Sequence, residues 1–413
     1  MKPLILYWVS NFSTHKAMGG DHKKRRVLQI FNRYLDYGGE EGSVHRVHDA
    51  LDGLYHMGMF LTSSDELTGS VGKKISAVSK VHRNLDVGRR LSELQARERF
   101  DIWMIHNVFP TISPIAYELA FSAGIPVIQY LHNYRLSCVN GFFLNHGAPC
   151  MRCIGGNFFP AFATACWQDS HIKSGIMGNV LHRLRGLDVF QNVSHWIAIS
   201  DAQKALHVQM GIPGDRISVI PHFYDVKSDG PDVNLGGDIM YIGRLSREKG
   251  VDVLLEAWKK IGPRQEKLRI IGDGPDRERL EQIVTTQGIC GVEFRGFVPR
   301  EEQIALWKQS LVTVVPSIWV EPFGMVVLEA WSRGVGVVVS DTGGLAEIVD
   351  EGVNGLKFPI GNSDALAQCL NDALRSPDRH RLMAASGFEK LSRYYNSQRW
   401  VNEIENVLSK VLC

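Results

Sequence analysis

Two glutamates eight residues apart give the strongest chemical pattern in this sequence, within the segment SIWVEPFGMVVLEA. Glu321 falls in a predicted loop, and Glu329 falls on a helix predicted to begin near Gly324, so both carboxylates can face one cleft. The first amides of that helix, those of Gly324, Met325 and Val326, would bind a diphosphate because helix N-termini attract anions. The two carboxylates would then accept hydrogen bonds from hydroxyls on either side of the phosphates, those of a sugar and those of a ribose. The alternative is two unrelated surface glutamates.

Two cations accompany a second predicted turn, which reads YIGRLSREKG. Arg244 follows Gly243 directly, and Lys249 lies five residues further on. A guanidinium can grip two phosphate oxygens and an ammonium acts as a point charge, so this turn can cup a phosphate. The order of residues differs from the G-x-x-x-x-G-K-[ST] motif, which disfavours a P-loop ATPase. A solvated helix start is the alternative interpretation.

Glycines follow two further predicted strands. Gly38 and Gly39 come after the first strand and open a helix, where glycine lets the backbone approach a ligand. A plain tight turn explains the same pair. Gly296, Phe297 and Val298 end another strand and offer backbone suited to flank a nucleobase, although an ordinary strand-to-helix turn looks the same.

Short apolar strands alternate with amphipathic helices along most of the chain, which predicts parallel sheets covered by helices on both faces. The predicted strands are Val27–Phe31, Gly58–Leu61, Ile102–His106, Pro126–Leu131, Trp196–Ile199, Ile217–Ile220, Ile239–Ile242, Leu268–Ile271, Val292–Phe294, Val312–Val315 and Val335–Val339. Because open α/β sheets bind ligands at the carboxyl ends of their strands, two such units would form a site in the cleft between them.

The same pattern predicts the organisation of the chain. We expect an N-terminal extension at 1–26, a first doubly wound unit at 27–222, a second at 223–395 and a closing helix at 396–413. Residues of about 134–190 interrupt the first unit, and a Pro-, Gly- and Asp-rich linker at 225–237 separates the two. A long interruption of this kind is usually functional.

Four of the seven cysteines lie in that interruption. Cys150 and Cys153 form a C-x2-C pair, with Cys138 before it and Cys166 after it. Four thiolates with one tight pair suit a structural zinc, and His146 is an alternative ligand. Free or redox-labile thiols are a second interpretation. A disulfide framework is disfavoured because the cysteine number is odd and no export signal is evident.

Composition excludes several classes of protein. The chain has 413 residues, 46 Lys and Arg against 44 Asp and Glu, a net charge of +2 and 44% hydrophobic residues. These values exclude an acidic disordered chain, a collagen-like repeat and a histone-like basic protein, so we expect no nucleic-acid partner. No apolar run approaches the ~18 residues of a spanning helix, and no secretory signal is recognisable at the start, so we expect a cytoplasmic protein.

Charge is unevenly divided between the two predicted units. Residues 1–222 contain 23 basic and 17 acidic side chains, whereas 223–413 contain 23 and 27, giving +6 and −4. The basic half would suit a phosphorylated ligand or an anionic membrane surface. Chance variation between two solvated surfaces is the alternative.

In combination these motifs resemble the retaining glycosyltransferases of the GT-B fold, specifically glycosyltransferase family 4. The resemblance extends from Val27 onward and depends on the joint order of five features: the glycine pair 38–39, Leu131-His132-Asn133, the turn at 243–250, Gly296-Phe297 and the E-x7-E motif. It implies an α/β protein with two Rossmann-like domains facing across a cleft, whose final helix crosses back to the first domain. It also implies transfer of a sugar from a nucleotide diphosphate sugar, a UDP- or GDP-sugar.

The resemblance implies catalytic roles for His132, Arg244, Lys249 and Glu321. The two cations would neutralise the diphosphate, so that no divalent cation or other catalytic cofactor is needed. Glu321 and His132 would contact the donor sugar. The expected mechanism is front-face substitution, in which the leaving diphosphate oxygen helps to take the acceptor's proton and no protein nucleophile is required.

The resemblance also implies how the donor is bound. The amides of Gly324 and Met325 would contact the sugar or the β-phosphate, and Glu329 would hold the ribose hydroxyls. The backbone at 296–298 would lie near the base.

The acceptor is expected in the first domain, near 32–34 and 106–107. Family members build lipopolysaccharide, capsule, exopolysaccharide, glycolipids and small glycosides. Basic side chains favour a lipid-diphosphate-linked acceptor and peripheral contact with the cytoplasmic face of the inner membrane: Lys23–Arg26, Lys73-Lys74, Arg89-Arg90 and Arg183/Arg185. The alternatives are a sugar-nucleotide epimerase of the same fold and a catalytically silent binding or scaffold module.

Overall fold

The computed structural model describes residues 24–34, 39–67, 79–226 and 236–412, with the side chains of 66 and 67 left out. Gly38, most of the N-terminal extension, Lys73-Lys74 and the middle of the linker lie outside these ranges. The roles assigned to them above therefore stay predictions.

The first half forms a sheet of six parallel strands, with a small hairpin beside it. Its strands, in chain order, are β1 Arg26–Arg33, β2 His56–Ser63, β3 Ile102–Asn107, β4 Val127–Tyr130, β7 His195–Ala198 and β8 Ile217–Val219. The hairpin is β5 Leu144–Asn145 with β6 Ala148–Pro149. The order across the sheet is β2-β1-β3-β4-β7-β8, so the direction of winding reverses between β1 and β3.

The second half forms another parallel sheet of six strands. These are β9 Asp238–Ile242, β10 Leu268–Ile271, β11 Val292–Gly296, β12 Ser310–Val315, β13 Gly336–Ser340 and β14 Leu356–Phe358. Their order is β11-β10-β9-β12-β13-β14, which places the reversal of winding between β9 and β12.

Helices cover both faces of the two sheets. Their bounds are α1 Gly39–Leu51, α2 Leu85–Glu98, α3 Ile115–Ser122, α4 Phe159–Ala163, α5 His171–Gly186, α6 Val189–Asn192, α7 Asp201–Gln209, α8 Val251–Ile261, α9 Arg277–Thr286, α10 Arg300–Gln309, α11 Met325–Ser332, α12 Gly343–Ile348, α13 Ser363–Arg375, α14 Pro377–Tyr394 and α15 Ser397–Leu412. Short 3-10 turns occur at Ser64–Leu67, Gly214–Arg216 and Arg247–Lys249.

Burial explains why these segments form central strands. Every residue of β3 and of β12 is buried, as expected for strands covered on both faces. The closing helix α15 instead has a single apolar stripe of Trp400, Ile404, Val407 and Leu408, all buried. The indole N–H of Trp400 donates to Tyr130 Oη at the end of β4, 3.2 Å away, so α15 contacts the first sheet. In the described ranges no helix has the length and apolar composition needed to cross a bilayer.

The fold class predicted from the sequence is confirmed: two parallel, doubly wound α/β sheets follow one another in the chain. A strand lies at each of the eleven predicted positions. The prediction missed β14 and the hairpin β5-β6. Both have few residues, and β14 carries Lys357 between its two apolar residues, so neither produces a recognisable periodicity.

Candidate active site

The predicted site residues named here lie at the carboxyl ends of strands that flank a reversal of winding, except His132, whose strand β4 lies one place beyond β3. In the second sheet, the turn after β9 carries Arg244 and Lys249, and the loop after β12 carries Glu321. In the first sheet, Asn107 ends β3 and His132 follows β4. A reversal point leaves a crevice between the two diverging loops, which is where open α/β sheets bind ligands.

The centre of the site is an ion pair between Lys249 and Glu321. Lys249 Nζ lies 2.8 Å from Oε2 and 3.1 Å from Oε1 of the carboxylate. Ser317 Oγ and Trp319 Nε1 also donate to Oε2, at 2.7 and 2.9 Å. The carboxylate is 90% buried, whereas Lys249 is about a quarter exposed. Glu321 is therefore fixed by neutral donors on its own loop, while its cationic partner remains accessible from the cleft.

Gly250 allows the two loops to meet. Its φ of +65° is in the left-handed region, and a Cβ there would collide with the carbonyl oxygen of Pro316. The amide of Ile318 donates to the carbonyl of Glu248 at 2.9 Å across the same contact. Close backbone packing thus sets the position of Lys249 relative to Glu321.

Arg244 is exposed on the turn after β9. Its carbonyl accepts a hydrogen bond of 2.7 Å from the buried phenol of Tyr241, and burial raises the pKa of that phenol. Gly243 N donates to Ile271 O at 3.0 Å, and Gly272 N donates to Gly296 O at 2.8 Å. Three successive strand ends are therefore bonded to each other, which makes a rigid base for the arginine.

Helix α11 begins where the sequence placed it. Gly324 occupies the N-cap position with φ +113° and has no side chain with which to cap the helix. Glu329 lies one turn further on and pairs with Arg300, with Nη2 and Oε1 2.9 Å apart. Burial raises the pKa of Glu329, against the opposing charges of Arg300 and Arg46. Arg46 comes from α1 of the first half, so both halves act on this carboxylate.

The predicted base-binding segment follows β11. Gly296 has a φ of +67°, Phe297 is 68% exposed, and the carbonyl of Val298 accepts a hydrogen bond of 2.7 Å from Gln303 Nε2. An exposed phenyl ring at the cleft edge offers a flat apolar surface for a base. That this segment lies near the base stays a prediction.

His132, just after the end of β4, lies in a stack of aromatic rings. Tyr130 stacks against it at 4.8 Å between centroids, His106 at 5.2 Å and His222 at 5.6 Å. His222 in turn meets the edge of Phe323, two residues beyond Glu321. Burial lowers the pKa of His132 to about 3, and Arg46 adds to the effect, so the imidazole is neutral at physiological pH.

A cluster of polar side chains on the first-half side of the cleft was not predicted from the sequence; we call it the polar group. Glu40 in the first turn of α1 accepts a hydrogen bond of 3.1 Å from Asn133 Nδ2. The Arg135 guanidinium lies over the ring of Tyr34 at 5.6 Å. Burial raises the pKa of Glu40 to about 7 and that of Tyr34 to about 12, although Arg135 lowers both. Buried atoms of three of these residues lack a hydrogen-bond partner among the described residues: Tyr34 Oη, Glu40 Oε1 and Arg135 Nε.

The sequence did carry a signal for this group. Glu40 follows the glycine pair directly, and Arg135 lies three residues after His132. Gly39, the described half of the glycine pair, begins α1 as expected. Only the region around Tyr34 and Asn107 was predicted, as an acceptor site.

The insertion between β4 and β7 borders the loop that carries Glu321. Trp319 contacts two of its aromatic rings edge to face, Phe142 at 5.1 Å and Tyr134 at 6.1 Å between centroids. The Lys249 ammonium lies 5.2 Å from the centre of the Trp319 ring. The insertion therefore supports the indole that holds Glu321, a contact that sequence reasoning did not foresee.

The four insertion cysteines line a common cavity. Cys138 Sγ donates to Asn140 Oδ1 at 3.1 Å, and Asn140 Nδ2 donates to Cys166 Sγ at 3.2 Å. Burial raises the pKa of Cys153 to about 11 and that of Cys166 to about 12. Across the described ranges, no three His, Cys, Asp or Glu side chains are arranged around one metal position. The structural zinc stays a prediction.

Two family models match the chain in tandem. Glycosyltransferase Family 4 matches residues 38–228, and Glycosyl transferases group 1 matches residues 236–390. The boundary between them coincides with the predicted linker. Together the two models account for most of the chain.

Curated relatives match over part of their length. An uncharacterized glycosyltransferase of Methanocaldococcus jannaschii is 42% identical over 31% of this chain and 33% of its own. Phosphatidyl-myo-inositol mannosyltransferase of Mycobacterium leprae is 31% identical over 50% of this chain and 59% of its own. The chain thus spans less than two thirds of either relative.

A solved structure matches nearly the whole fold. Anabaena HepE in complex with UDP-glucose has a TM-score of 0.66 at 19% identity, covering 93% of this chain and 99% of HepE. At that identity the likeness shows the fold, two α/β domains with the cleft between them. From the family models and the fold together, the chain belongs to the GT-B glycosyltransferases of the family 4, group 1 type.

Proposed function

We propose that the chain is a retaining glycosyltransferase that moves a sugar from a nucleotide diphosphate sugar to an acceptor hydroxyl without a catalytic metal. The observation that carries this proposal is the pair of Lys249 and Glu321, 2.8 Å apart at the reversal point of the second sheet. The UDP-glucose complex of HepE supports a UDP-sugar as the first donor to test, with a GDP-sugar as the alternative.

The ion pair suits a site that waits for a diphosphate. When the donor binds, its phosphates compete with Glu321 for the ammonium of Lys249, and the carboxylate becomes available to sugar hydroxyls. Ser317 and Trp319 keep Glu321 in place during this exchange, because both donate to Oε2 independently of the lysine. The site therefore supplies one cation for the phosphates and one acceptor for the sugar from a single contact.

The transfer itself needs no protein nucleophile. The bond between the anomeric carbon and the β-phosphate oxygen breaks, and its electron pair stays on that oxygen. The acceptor oxygen bonds to the same face of the anomeric carbon, and its proton passes to the leaving phosphate oxygen. Arg244, Lys249 and the amides at the start of α11 stabilise the charge that develops on the diphosphate. Arg244 and Lys249 offer two cationic groups to the diphosphate, the part that a divalent cation would otherwise take, which supports metal independence.

The acceptor is proposed to bind against the polar group of Tyr34, Glu40, Asn133 and Arg135. Three of these residues carry buried polar atoms without a protein partner in the described ranges, so a hydroxylated ligand can satisfy them. A carboxyl and an amide suit sugar hydroxyls, and a guanidinium suits a phosphate or a carboxylate. This combination favours an acceptor that bears both hydroxyls and an anionic group.

Cell-surface polysaccharide, lipopolysaccharide or glycolipid synthesis at the cytoplasmic face of a membrane remains our proposal for the pathway. The mannosyltransferase of Mycobacterium leprae, named for a phosphatidyl-inositol, supports a lipid acceptor. Contact of the basic segments with a membrane surface has less support. Arg26 pairs with Glu98 and Arg183 pairs with Glu118, so these two cations are already neutralised within the fold.

Donor binding and product analysis test the proposal. A thermal-shift panel of UDP-, GDP- and ADP-sugars should reveal one base that raises the melting temperature. Turnover of that donor with lipid-linked and soluble acceptors should give a product whose anomeric configuration, read by NMR, equals that of the donor. An epimer formed from donor alone would instead identify an epimerase, and binding without turnover would identify a silent module.

The structural zinc is proposed separately for the cysteine cavity. Metal analysis of protein purified without chelator should find about one zinc per chain. Its absence would leave Cys138, Cys150, Cys153 and Cys166 as thiols.

A further inference from the structure

His132 has one buried nitrogen that no described residue bonds to. Its Nε2 lies 2.9 Å from His106 Nδ1, whereas its Nδ1 is buried without a hydrogen bond to any described residue. A buried polar nitrogen that lacks a protein partner is uncommon in proteins, so Nδ1 has bonding capacity left for a ligand in the neighbouring cleft. Whether Nδ1 can donate or accept depends on which nitrogen carries the proton.

Gln29 determines which nitrogen of His132 carries the proton, and it does so through His106, which lies between them. This glutamine is fully buried in β1, and its Nε2 lies 3.3 Å from the carbonyl oxygen of Val44 and 3.0 Å from His106 Nε2. A carbonyl oxygen can only accept, so the atom facing Val44 is the amide NH2 group. The opposite amide atom, Oε1, accepts from His48 Nδ1 at 2.9 Å, which is consistent with this orientation.

The orientation of Gln29 fixes the protons of both histidines. The second hydrogen of its NH2 group points to His106 Nε2, which must accept it. His106 is neutral because burial and the neighbouring His132 lower its pKa, so its one proton is on Nδ1. That proton is donated to His132 Nε2. Since His132 is also neutral, its own proton is on Nδ1.

We propose that Gln29 is a positioning residue that acts through His106 to hold His132 in the Nδ1–H tautomer, which then donates to an oxygen of the transferred sugar. This rests on the proposed function. The neighbourhood agrees with it, since His132 stacks on His222, whose ring meets Phe323 in the Glu321 loop. The opposite tautomer would present a lone pair to the sugar and repel a bare ether or carbonyl oxygen.

The tautomer can be read directly in the free protein. Two-bond 1H–15N correlation spectra of protein labelled with 15N-histidine distinguish Nδ1–H from Nε2–H, and a His132→Gln variant assigns the signal. We expect His132 to be protonated at Nδ1 alone. In Gln29→Met the His132 signal should show the Nε2–H form as well, and kcat/KM for transfer should fall about five- to tenfold, the effect of one neutral hydrogen bond.

We call the hydrogen-bonded series Gln29, His106 and His132 the relay. A matched control separates the effect of the relay from a general loss of packing. Gln95 also bridges two elements of the first half, donating to Phe100 O and accepting from Trp103 Nε1, both at 3.0 Å. Gln95→Met removes comparable bonds away from His106 and should leave the His132 spectrum and the turnover unchanged.

The possible results of these experiments distinguish failure of the relay from failure of the proposed function. A His132 protonated at Nε2 in the unaltered protein overturns the relay, and this reading does not depend on Gln29→Met folding. Unchanged spectra and turnover in a folded Gln29→Met also overturn it. An Nδ1–H tautomer in a protein that turns over no nucleotide sugar supports the relay and contradicts the proposed function instead.

Discussion

Trp319 and Phe142 meet edge to face, with ring centroids 5.1 Å apart and an interplanar angle of 85°. Trp319 donates its indole N–H to Glu321, while Phe142 belongs to the cysteine-bearing insertion of the first half. The amide of Phe142 donates to Asn140 Oδ1 at 2.9 Å, and Asn140 Nδ2 donates to Cys166 Sγ at 3.2 Å. Continuous contacts therefore join the insertion to the Glu321 carboxylate, so the insertion supports the candidate site.

Removing the Phe142 ring should lower transfer without unfolding the protein. An aromatic pair contributes about 0.5–1.5 kcal/mol beyond its burial, so Phe142→Ala should reduce kcat/KM roughly two- to twelvefold. Phe159→Ala is the matched control, because Phe159 lies in the same insertion but is 68% exposed. Steady-state transfer assays compare the two, and equal activities would show that the insertion does not support Trp319.

The central ion pair should be essential for turnover. Glu321→Gln keeps the size of the side chain and one oxygen for Ser317 and Trp319, yet it removes the charge that faces Lys249. We expect Glu321→Gln and Lys249→Ala each to lower kcat at least about 100-fold, the scale of losing a transition-state contact. Single-turnover assays at saturating donor measure this loss.

A second ion pair, between Lys390 and Asp350, provides the control for that experiment. Lys390 Nζ lies 2.8 Å from Asp350 Oδ2, the same length as the central pair, on helix α14. Lys390→Ala should retain normal turnover, since the contact is partly exposed and contributes about 1 kcal/mol at most. Near-normal activity in Glu321→Gln would refute the site assignment.

The sequence predicted those parts of the molecule that local patterns encode. The buried strands β3 and β12 are short apolar runs, so periodicity located them. The order of the strands across each sheet, and with it the two reversal points, came only from the structure. The spacing of Glu321 and Glu329 was visible because a loop and the helix after it carry both residues. Contacts between distant segments were not visible, because no local pattern links Phe142 to Trp319 or Gln29 to His106.

Burial was the other property that the sequence could not supply. Glu40 stands in the first turn of α1, where an acidic residue is common at a solvated helix start. Only the tertiary structure shows that Asn133 covers it and that burial raises its pKa to about 7. The same applies to Arg135, whose partner rings are Tyr34, directly after β1, and Trp167 of the insertion.

The raised pKa of Glu40 predicts a pH dependence of stability. The folded protein holds this proton more tightly than the unfolded chain, whose carboxyl has an ordinary value near 4.5. Below pH 4.5 both states are protonated, and between about 4.5 and 7 the unfolded state ionises first, so the free energy of unfolding falls as the pH rises. Above 7 the difference stays constant.

Glu40→Gln should remove this dependence because an amide does not ionise. Relative to the unaltered protein, the variant should gain about 1–3 kcal/mol between pH 5 and pH 8. Urea unfolding at the two pH values measures the gain. Glu301→Gln, at an exposed helix start, should show no such difference. A gain of the opposite sign would mean that Glu40 is stabilised as a carboxylate.

A comparison of Gly250→Ala with Gly288→Ala should separate backbone strain from steric collision where the Lys249 loop meets the Glu321 loop. Both Gly250 and Gly288 have left-handed backbones, with φ of +65° and +61°. A Cβ at Gly288 would meet no atom of the described residues within 4 Å, whereas one at Gly250 would strike the Pro316 carbonyl. Gly288→Ala should therefore cost only the conformational penalty, about 1 kcal/mol, and Gly250→Ala about 1–3 kcal/mol more.

The functional effect of Gly250→Ala follows from the same geometry. Relief of the collision must move the loop of Lys249 away from the loop of Glu321, so donor binding should weaken even under conditions where the variant is folded. Urea unfolding gives the cost in stability, and titration with the donor identified in the thermal-shift panel gives the affinity. If both variants lost equal stability and bound the donor equally well, the close approach of the two loops would not be what sets the Lys249–Glu321 distance.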